Sequence, residues 1–452
     1  MGYGGYFTLI NATPYNWTQI YSHSYEMNTW AFPSIIIAES FRVYTELQEE
    51  FFLPSDDAAE VNYTIASPDS SGETAFQISF QNRHDPTGFD ITWGDIPVQD
   101  YKPGDKANLG FEHDSEKDVQ LVISGDGKGV PYATQYPYLN WMTVSMPTIG
   151  CQPLRQICIP GSHDAGMSEW NPHTSGAEQI NIQTQQLDIL GQLNAGVRWF
   201  DIRPVLAGGI FRTGHYSAVG PQMQGGDGQK ISDIIEEVNN FTAPDGMNEL
   251  IVLSLSSSMD TDTGTKRFPA FSRSQYTALL QAFLGLNHRY VAPSGTTDLT
   301  TIPLSDIIGK APAILIIVNE NGVDLSPFSN MGIYPAKVFP VYNSYANVDD
   351  VATMSADQLG KMKTNRTSPS DKMFTLSWTL TQQGTDVGVV WRSILDLADW
   401  AYKALYRELW GGDLSSNSYP NIIEVDDVRA DGGVTALAMA INSYLSPGCP
   451  GE

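Results

Sequence analysis

From about residue 150 to the end, the chain alternates between two textures. Strand-like runs, rich in apolar and β-branched residues, occur at 156–159, 197–202, 250–256, 313–318, 373–378 and 421–425. Runs with helical spacing lie between and after them, at 179–194, 231–241, 273–284, 356–362, 391–410 and 434–444. A strand that must be followed by a helix before the next strand can pair only in parallel, with the helix covering the sheet. Roughly 300 residues of this pattern fit one α/β domain built as a (β/α) barrel. In such a barrel the chemistry is sought at the C-terminal ends of the strands.

Before residue 130 the period is two. In residues 74–80 the apolar Phe76, Ile78 and Phe80 alternate with polar Gln77 and Ser79, and similar runs occur at 6–10, 35–47, 61–66, 89–93 and 119–123, separated by clusters of Gly, Pro, Asp and Ser. Short strands with turn signals between them predict a small antiparallel β-sandwich. The expected organisation is therefore a β-sandwich over 1–130 followed by a catalytic (β/α) barrel over 131–452. The opening, through Asn11–Trp17 and Ser24–Pro33, resembles small fungal and bacterial β-sandwich proteins that bind membranes or sugars, which implies a membrane- or glycan-binding role for the first domain.

Charge narrows the partners. The net charge is −26, and residues 1–150 carry 20 acidic and 6 basic side chains, more than half of that excess. A nucleic-acid protein needs clustered Lys and Arg to displace phosphate counterions, so no nucleic-acid partner is expected. The longest strongly apolar stretch, 311–318, is far short of the roughly 18–20 residues that cross a bilayer, so no transmembrane segment is expected; peripheral membrane contact stays open. The chain opens Met-Gly-Tyr-Gly-Gly without the basic and apolar regions of a secretory leader. It is read as a mature, secreted chain, with a cytoplasmic one as the alternative. Cys151 and Cys449 both sit in Pro/Gly-rich loops and are expected to pair, leaving Cys158, inside an apolar run, as a buried thiol.

Three strand ends gather reactive residues. The first runs into Pro160-Gly-Ser-His163-Asp164-Ala-Gly-Met167. The second reads Gly196-Val-Arg-Trp-Phe-Asp201-Ile-Arg203-Pro204, and strand alternation turns Asp201 and Arg203 to one side. His215 follows within Gly214-His-Tyr216. Two histidines, a guanidinium and carboxylates suit phosphodiester cleavage. One imidazole takes the proton of the attacking hydroxyl, the other protonates the leaving oxygen, and the guanidinium holds the oxygens where charge builds up. A carboxylate behind a His fixes its tautomer and raises its basicity. No metal or other cofactor is needed for such a set.

These three motifs in order resemble the phosphatidylinositol-specific phospholipase C superfamily, the X-domain-like barrels, and especially their bacterial and fungal metal-independent branch, over roughly residues 140–450. The resemblance implies an irregular TIM-type (β/α) barrel that cleaves an inositol phosphodiester of a lipid by attack of the inositol 2-hydroxyl, leaving a cyclic inositol phosphate. It implies His163 as general base, His215 as general acid, Asp164 as the partner of the acid, Arg203 as the phosphate clamp and Asp201 as an active-site carboxylate. A late-strand carboxylate oriented to the base is matched by Asp426, better by spacing than Asp427. Ser256 and Trp378 are expected at the substrate. Animal relatives hold calcium with acids on the second and third strands, whereas here Arg203 and Ser256 stand at those positions, so no metal requirement is expected. Simple bacterial members carry a Lys near the Ser256 position, and its absence implies an altered head-group pocket.

Other readings compete. Arg198, an odd number of residues from Asp201, faces the opposite way and is read as structural, as is His173. The segment 391–410 is read as a barrel helix and not an interfacial one, because its polar face is mixed in charge. Gly225–Gly228 is read as a loop before the next helix. A binding or toxin-like module, whose barrel is inactive or takes another ligand, remains the alternative to an enzyme.

Overall fold

The structure is a computed structural model that describes residues 4–37, 40–49, 57–66, 72–81, 88–96, 98, 101–109, 118–125, 132–134, 139–383, 392–410, 414–445 and 449. It comprises two compact units. The first is made of Met1–Tyr136, Tyr402–Leu414 and Asp431–Leu445, and the second of Pro137–Ala401, Ser415–Ala430 and Ser446–Glu452. The sequence alone led to the expectation of a single boundary after residue 130; the first unit runs to Tyr136 and includes two later segments.

The first unit is a β-sandwich. One sheet joins Tyr132–Ala133, Asp118–Ser124, Gly4–Ala12, Ser40–Glu49 and Met27–Trp30 in that order; the other joins Ile35–Ile36, Trp17–Tyr25, Ala58–Ile65, Phe76–Gln81, Gly88–Trp93 and Lys106–Asn108. Pairing is antiparallel except between Gly4–Ala12 and Asp118–Ser124, which run parallel. Ala58–Ile65 alternates between half-buried and buried residues along its whole length, the period two read in the sequence. Phe7 of the first sheet and Phe89 of the second meet edge to face at 5.2 Å, in a core that also contains Trp17, Val61, Phe76 and Trp93. The strand expected over 35–47 is two strands, with residues 38–39 outside the described ones. Of the Gly-, Pro-, Asp- and Ser-rich clusters expected as turns, those at 67–73 and 83–88 lie mostly outside them. Both faces of Gly4–Ala12 are buried, since Thr8 and Ile10 are as inaccessible as Phe7 and Leu9. Helix Gly433–Leu445, apolar on almost every side, packs on this strand and on Asp118–Ser124. A helix apolar all round must be enclosed, which explains why a segment distant in sequence belongs to this unit.

The second unit is built on eight strands: Ile159–Ser162, Trp199–Ile202, Leu250–Leu255, Ala313–Val318, Ile333–Pro335, Val341–Tyr342, Met373–Trp378 and Ile422–Val425, referred to here as the first to the eighth. Among the described residues these strands pair in parallel throughout, and the eighth returns to pair with the first, Gly161 opposite Glu424. The spatial order follows the chain around a curled sheet with one seam, between the fifth and sixth strands, where a single 3-10 turn, Ala336–Val338, replaces a crossover helix. This is an irregular TIM-type barrel. Its third and fourth strands are buried at every residue, as strands covered on both faces must be. Helix Arg273–Phe283 starts in a capping box between Ser272 and Gln275, and Val351–Asn365 starts at Asp350, which accepts from the Thr353 amide at 2.8 Å. Cys151 and Cys449 form a disulfide, and Cys158 is a buried free thiol.

Two stretches differ from the sequence reading. Residues 179–194 form two short helices, Gln179–Ile182 and Ile189–Asn194, because Asp188 caps the second by accepting from the Gly191 amide at 2.7 Å and the carboxamides before it turn inward. Gly225–Gly228 is part of a strand, Gln222–Lys230, hairpinned to Ile210–Val219 in a separate five-stranded sheet whose strands follow the first, second and third barrel strands. The glycines are there for close approach. A Cβ on Gly225 would lie 2.0 Å from the His215 carbonyl oxygen, and one on Gly228 would lie 2.3 Å from that of Gly166.

Candidate active site

The ends of the first, second and eighth strands bring His163, Asp164, Asp201, Arg203 and Asp426 together. His163 leaves the first strand with its amide bonded to the Val425 carbonyl at 3.0 Å. That contact sets the adjacent Asp426 beside the imidazole, with Nδ1 2.7 Å from Asp426 Oδ1. On its other side, His163 Nε2 lies 2.6 Å from an Arg203 NH2 nitrogen. Arg203 Nε donates to Asp201 Oδ2 at 2.9 Å, and its NH1 group meets Asp164 Oδ2 at 3.3 Å. Asp201 also accepts from the Asp164 amide at 3.2 Å and from the Ser256 hydroxyl at 3.2 Å. Guanidinium, imidazole and three carboxylates thus form one continuous network.

The charges are mutually adjusted. Burial disfavours a charged His163 ring, but the Asp426 carboxylate outweighs both burial and the Arg203 cation and holds its pKa up, to about 9. An imidazolium has no lone pair to offer, so the Arg203 contact at Nε2 belongs to the neutral ring. Protonation of His163 and contact with Arg203 exclude one another. Burial raises the pKa of Asp164, whereas Arg203 and His163 overcome burial at Asp201 and lower it. Asp164 Oδ1 is buried without a hydrogen-bond partner among the described residues.

His215 sits on Ile210–Val219 and its Nδ1 donates to the Ile182 carbonyl at 3.0 Å, which leaves Nε2 as the free position of the ring. Asp164, expected as its partner, acts on it only through its field. That field raises the His215 pKa, while burial, Arg203 and His163 lower it, with a net lowering.

Beside the network lies a cavity of about 540 Å³ lined by His163, Asp201, Arg203, Ser256, Asn343 and Glu424 among others. Its wall follows strand alternation. Trp199 and Asp201 of the second strand with Arg203 just past its end, and Ser254 of the third with Ser256 just past its end, face inward, as do Ser377 of the seventh and Glu424 of the eighth. The expectation for Trp378 is corrected by the same parity. It faces away from the cavity, 1% exposed, with its indole N–H on the Ala401 carbonyl at 2.7 Å, and Ser377 takes its place at the wall.

Glu424 is a site residue that the sequence reading passed over. Its oxygens accept from Trp199 Nε1 at 3.2 Å and Asn343 Nδ2 at 3.3 Å, and burial, aided by Asp201, pushes its pKa up to about 7. Its spacing of two from Asp426 was the available signal. Gln185 was also missed, and nothing in the local sequence distinguishes it from the neighbouring glutamines.

Similarity to solved structures was found. The phosphatidylinositol-specific phospholipase C of Staphylococcus aureus is similar at 17% identity, with a TM-score of 0.47, over 68% of this chain and 98% of that one. The enzyme of the same name from Listeria monocytogenes is similar at 17% identity and a TM-score of 0.41, over 68% of this chain and 99% of that one. No protein-family model matches the chain, and no curated protein matches it.

Arg198, as expected, is remote from this chemistry. It is fully buried, bonded through Nε to Glu249 at 2.9 Å and to the carbonyls of Leu193, Val197 and Leu139. His173 lies 3.7 Å from Asp227 and edge-on to Phe268, away from the network. Among the described residues no helix is long and apolar enough to cross a membrane.

Proposed function

We propose that this chain is a metal-independent phosphodiesterase of the phosphatidylinositol phospholipase C type. The observation that carries the reading is the linkage Asp426–His163–Arg203–Asp201 at the mouth of a cavity large enough for a head group. The substrate phosphate draws the Arg203 guanidinium onto its non-bridging oxygens, which frees His163 Nε2. Neutral His163 then removes the proton from a hydroxyl on the head group as that oxygen bonds to phosphorus. The bond from phosphorus to the lipid-side oxygen breaks, and His215 Nε2 supplies that oxygen with a proton. The product pair is a cyclic phosphate and a lipid alcohol, and the two imidazoles have exchanged protonation states.

The phosphate is an anion placed among the cations that lower the His215 pKa. Its arrival offsets them, so the acid is charged when the leaving oxygen needs it. Once it has turned to the phosphate, Arg203, still held by two carboxylates, supplies the positive charge at the transition state. Phosphorus NMR of digests of phosphatidylinositol and of glycosylated inositol phospholipids tests the reading. A five-membered cyclic phosphate signal is expected; phosphomonoester as the first product, or intact substrate throughout, would overturn it.

A further inference from the structure

Residues Ile182–Gln186 run from the last residue of the first short helix into the link to the second, and their polar groups serve the reactive loops. The Ile182 carbonyl orients His215. Thr184 Oγ1 donates to the Asp164 carbonyl at 2.9 Å, and the Thr184 carbonyl accepts from the Asp427 amide at 2.8 Å. Gln186 Nε2 donates to the Asp427 carboxylate at 3.0 Å. Asp164 and Asp427 are both left-handed, at φ 43° and 50°, a conformation that costs a non-glycine residue energy and persists only where the surroundings hold it. At the centre is Gln185, completely buried. Its Nε2 donates to the His163 carbonyl at 2.8 Å and the Val425 carbonyl at 3.2 Å, and its Oε1 accepts from the Val428 amide at 2.9 Å.

One carboxamide therefore grips the backbone of the His and, on both sides, the backbone of its carboxylate. We infer that Gln185 is a positioning residue that holds His163 and Asp426 at bonding distance and so sets the proton affinity of His163. The inference needs the phosphodiesterase reading only for its kinetic arm.

The test compares Gln185→Met with Gln192→Met. Gln192 is an equally buried glutamine whose Nε2 donates to the Ala165 and Leu187 carbonyls and which touches neither His163 nor Asp426. His163 is titrated by NMR of the imidazole in each full-length variant, and the acid limb of kcat/KM is followed where turnover is present. The ring is faced by Asp426, Asp201, Asp164 and Glu424, by the Arg203 cation and by the His215 imidazole. Only its contact with Asp426 is loosened by the first variant. Gln185→Met is expected to lower the His163 pKa by about one unit, with the acid limb moving to lower pH, and Gln192→Met to lower thermal stability without moving either. An unchanged His163 pKa in Gln185→Met, or an equal shift in both variants, overturns the inference. If Gln185→Met does not fold, Gln185→Asn, which keeps the amide and retracts it, is expected to give the same direction, and an unshifted ring there is equally decisive. Absence of turnover in the wild type would count against the phosphodiesterase reading and leave the NMR comparison standing.

Discussion

Arg203 covers the reactive nitrogen of His163: NH2 to Nε2 is 2.6 Å, while Asp201 and Asp164 hold the rest of the guanidinium. In the neutral ring, the form that prevails only above its pKa of about 9, the lone pair that would take the substrate proton is thus occupied until something with a stronger claim on Arg203 arrives. A phosphate, which guanidinium binds through two parallel bonds, is such a group. The contact keeps the base idle in the empty site and couples its release to substrate binding.

That coupling makes Arg203→Lys a severe change. An ammonium keeps the charge but cannot hold Asp201, Asp164 and His163 at once or bind phosphate in a bidentate way. A fall in kcat of about 10²–10³ is expected with little change in thermal stability, measured by steady-state kinetics and calorimetry. Because the fixed guanidinium supplies the cation, addition of EGTA to the wild type is expected to leave turnover unchanged, and recovery of lost activity by calcium would refute this.

Replacing either imidazole is expected to stop the reaction. His163→Ala and His215→Ala should each lower kcat by about 10²–10⁴, with melting temperatures close to the wild type. The two differ in rescue. A substrate with a good leaving group needs no proton at the departing oxygen, so it should restore His215→Ala and not His163→Ala. Equal rescue of both would contradict the assignment of base and acid.

Asp426→Asn tests the electrostatics. Asp426 raises the His163 pKa from its usual 6.5 to about 9 in the folded chain, so its contribution to stability is complete below pH 6.5 and is lost as pH rises through about 9. The amount is about 3 kcal/mol at most. The variant should lose stability chiefly below pH 6.5, flatten the decline between pH 6.5 and 9, and move the acid limb of kcat/KM to lower pH. Denaturant titrations at several pH values would show it; an unchanged slope would mean that Asp426 does not govern the ring.

Arg198→Met tests the scaffold apart from the chemistry. It leaves the Glu249 carboxyl group fully buried without its cation beside the amides of Met142 and Thr143, and three carbonyls lose their donor. A loss of about 3–5 kcal/mol is expected by denaturant unfolding. The pH dependence of the remaining activity should be that of the wild type.

Much of the architecture was legible because it rests on local chemistry repeated many times. The third and fourth strands read as continuous apolar runs because a strand covered on both faces has no polar side to show. Ala58–Ile65 read as a sandwich strand because one face meets Trp17 and Phe76 while the other stays polar. The inserted hairpin was not legible. Gly225–Gly228 carries turn residues, and only the His215 and Gly166 carbonyls pressing against it show why glycine is needed inside a strand. Helix Gly433–Leu445 reads as a last barrel helix, and its enclosure in the first unit depends on strands more than 300 residues away.

The sequence by itself determined which side chains stand at the strand ends, because a strand's period of two sends Asp201 and Arg203, or Glu424 and Asp426, to one face wherever the strand lies. Only the tertiary structure decided what those side chains do to one another. The 2.7 Å contact of His163 with Asp426 joins residues 263 apart in the chain, and it exists because the eighth strand closes on the first. Trp378 was assigned to the cavity and Glu424 overlooked for the same reason: pairing register, and not composition, decides which parity of a strand faces inward. Proton affinities follow distance and burial, and neither is written along the chain.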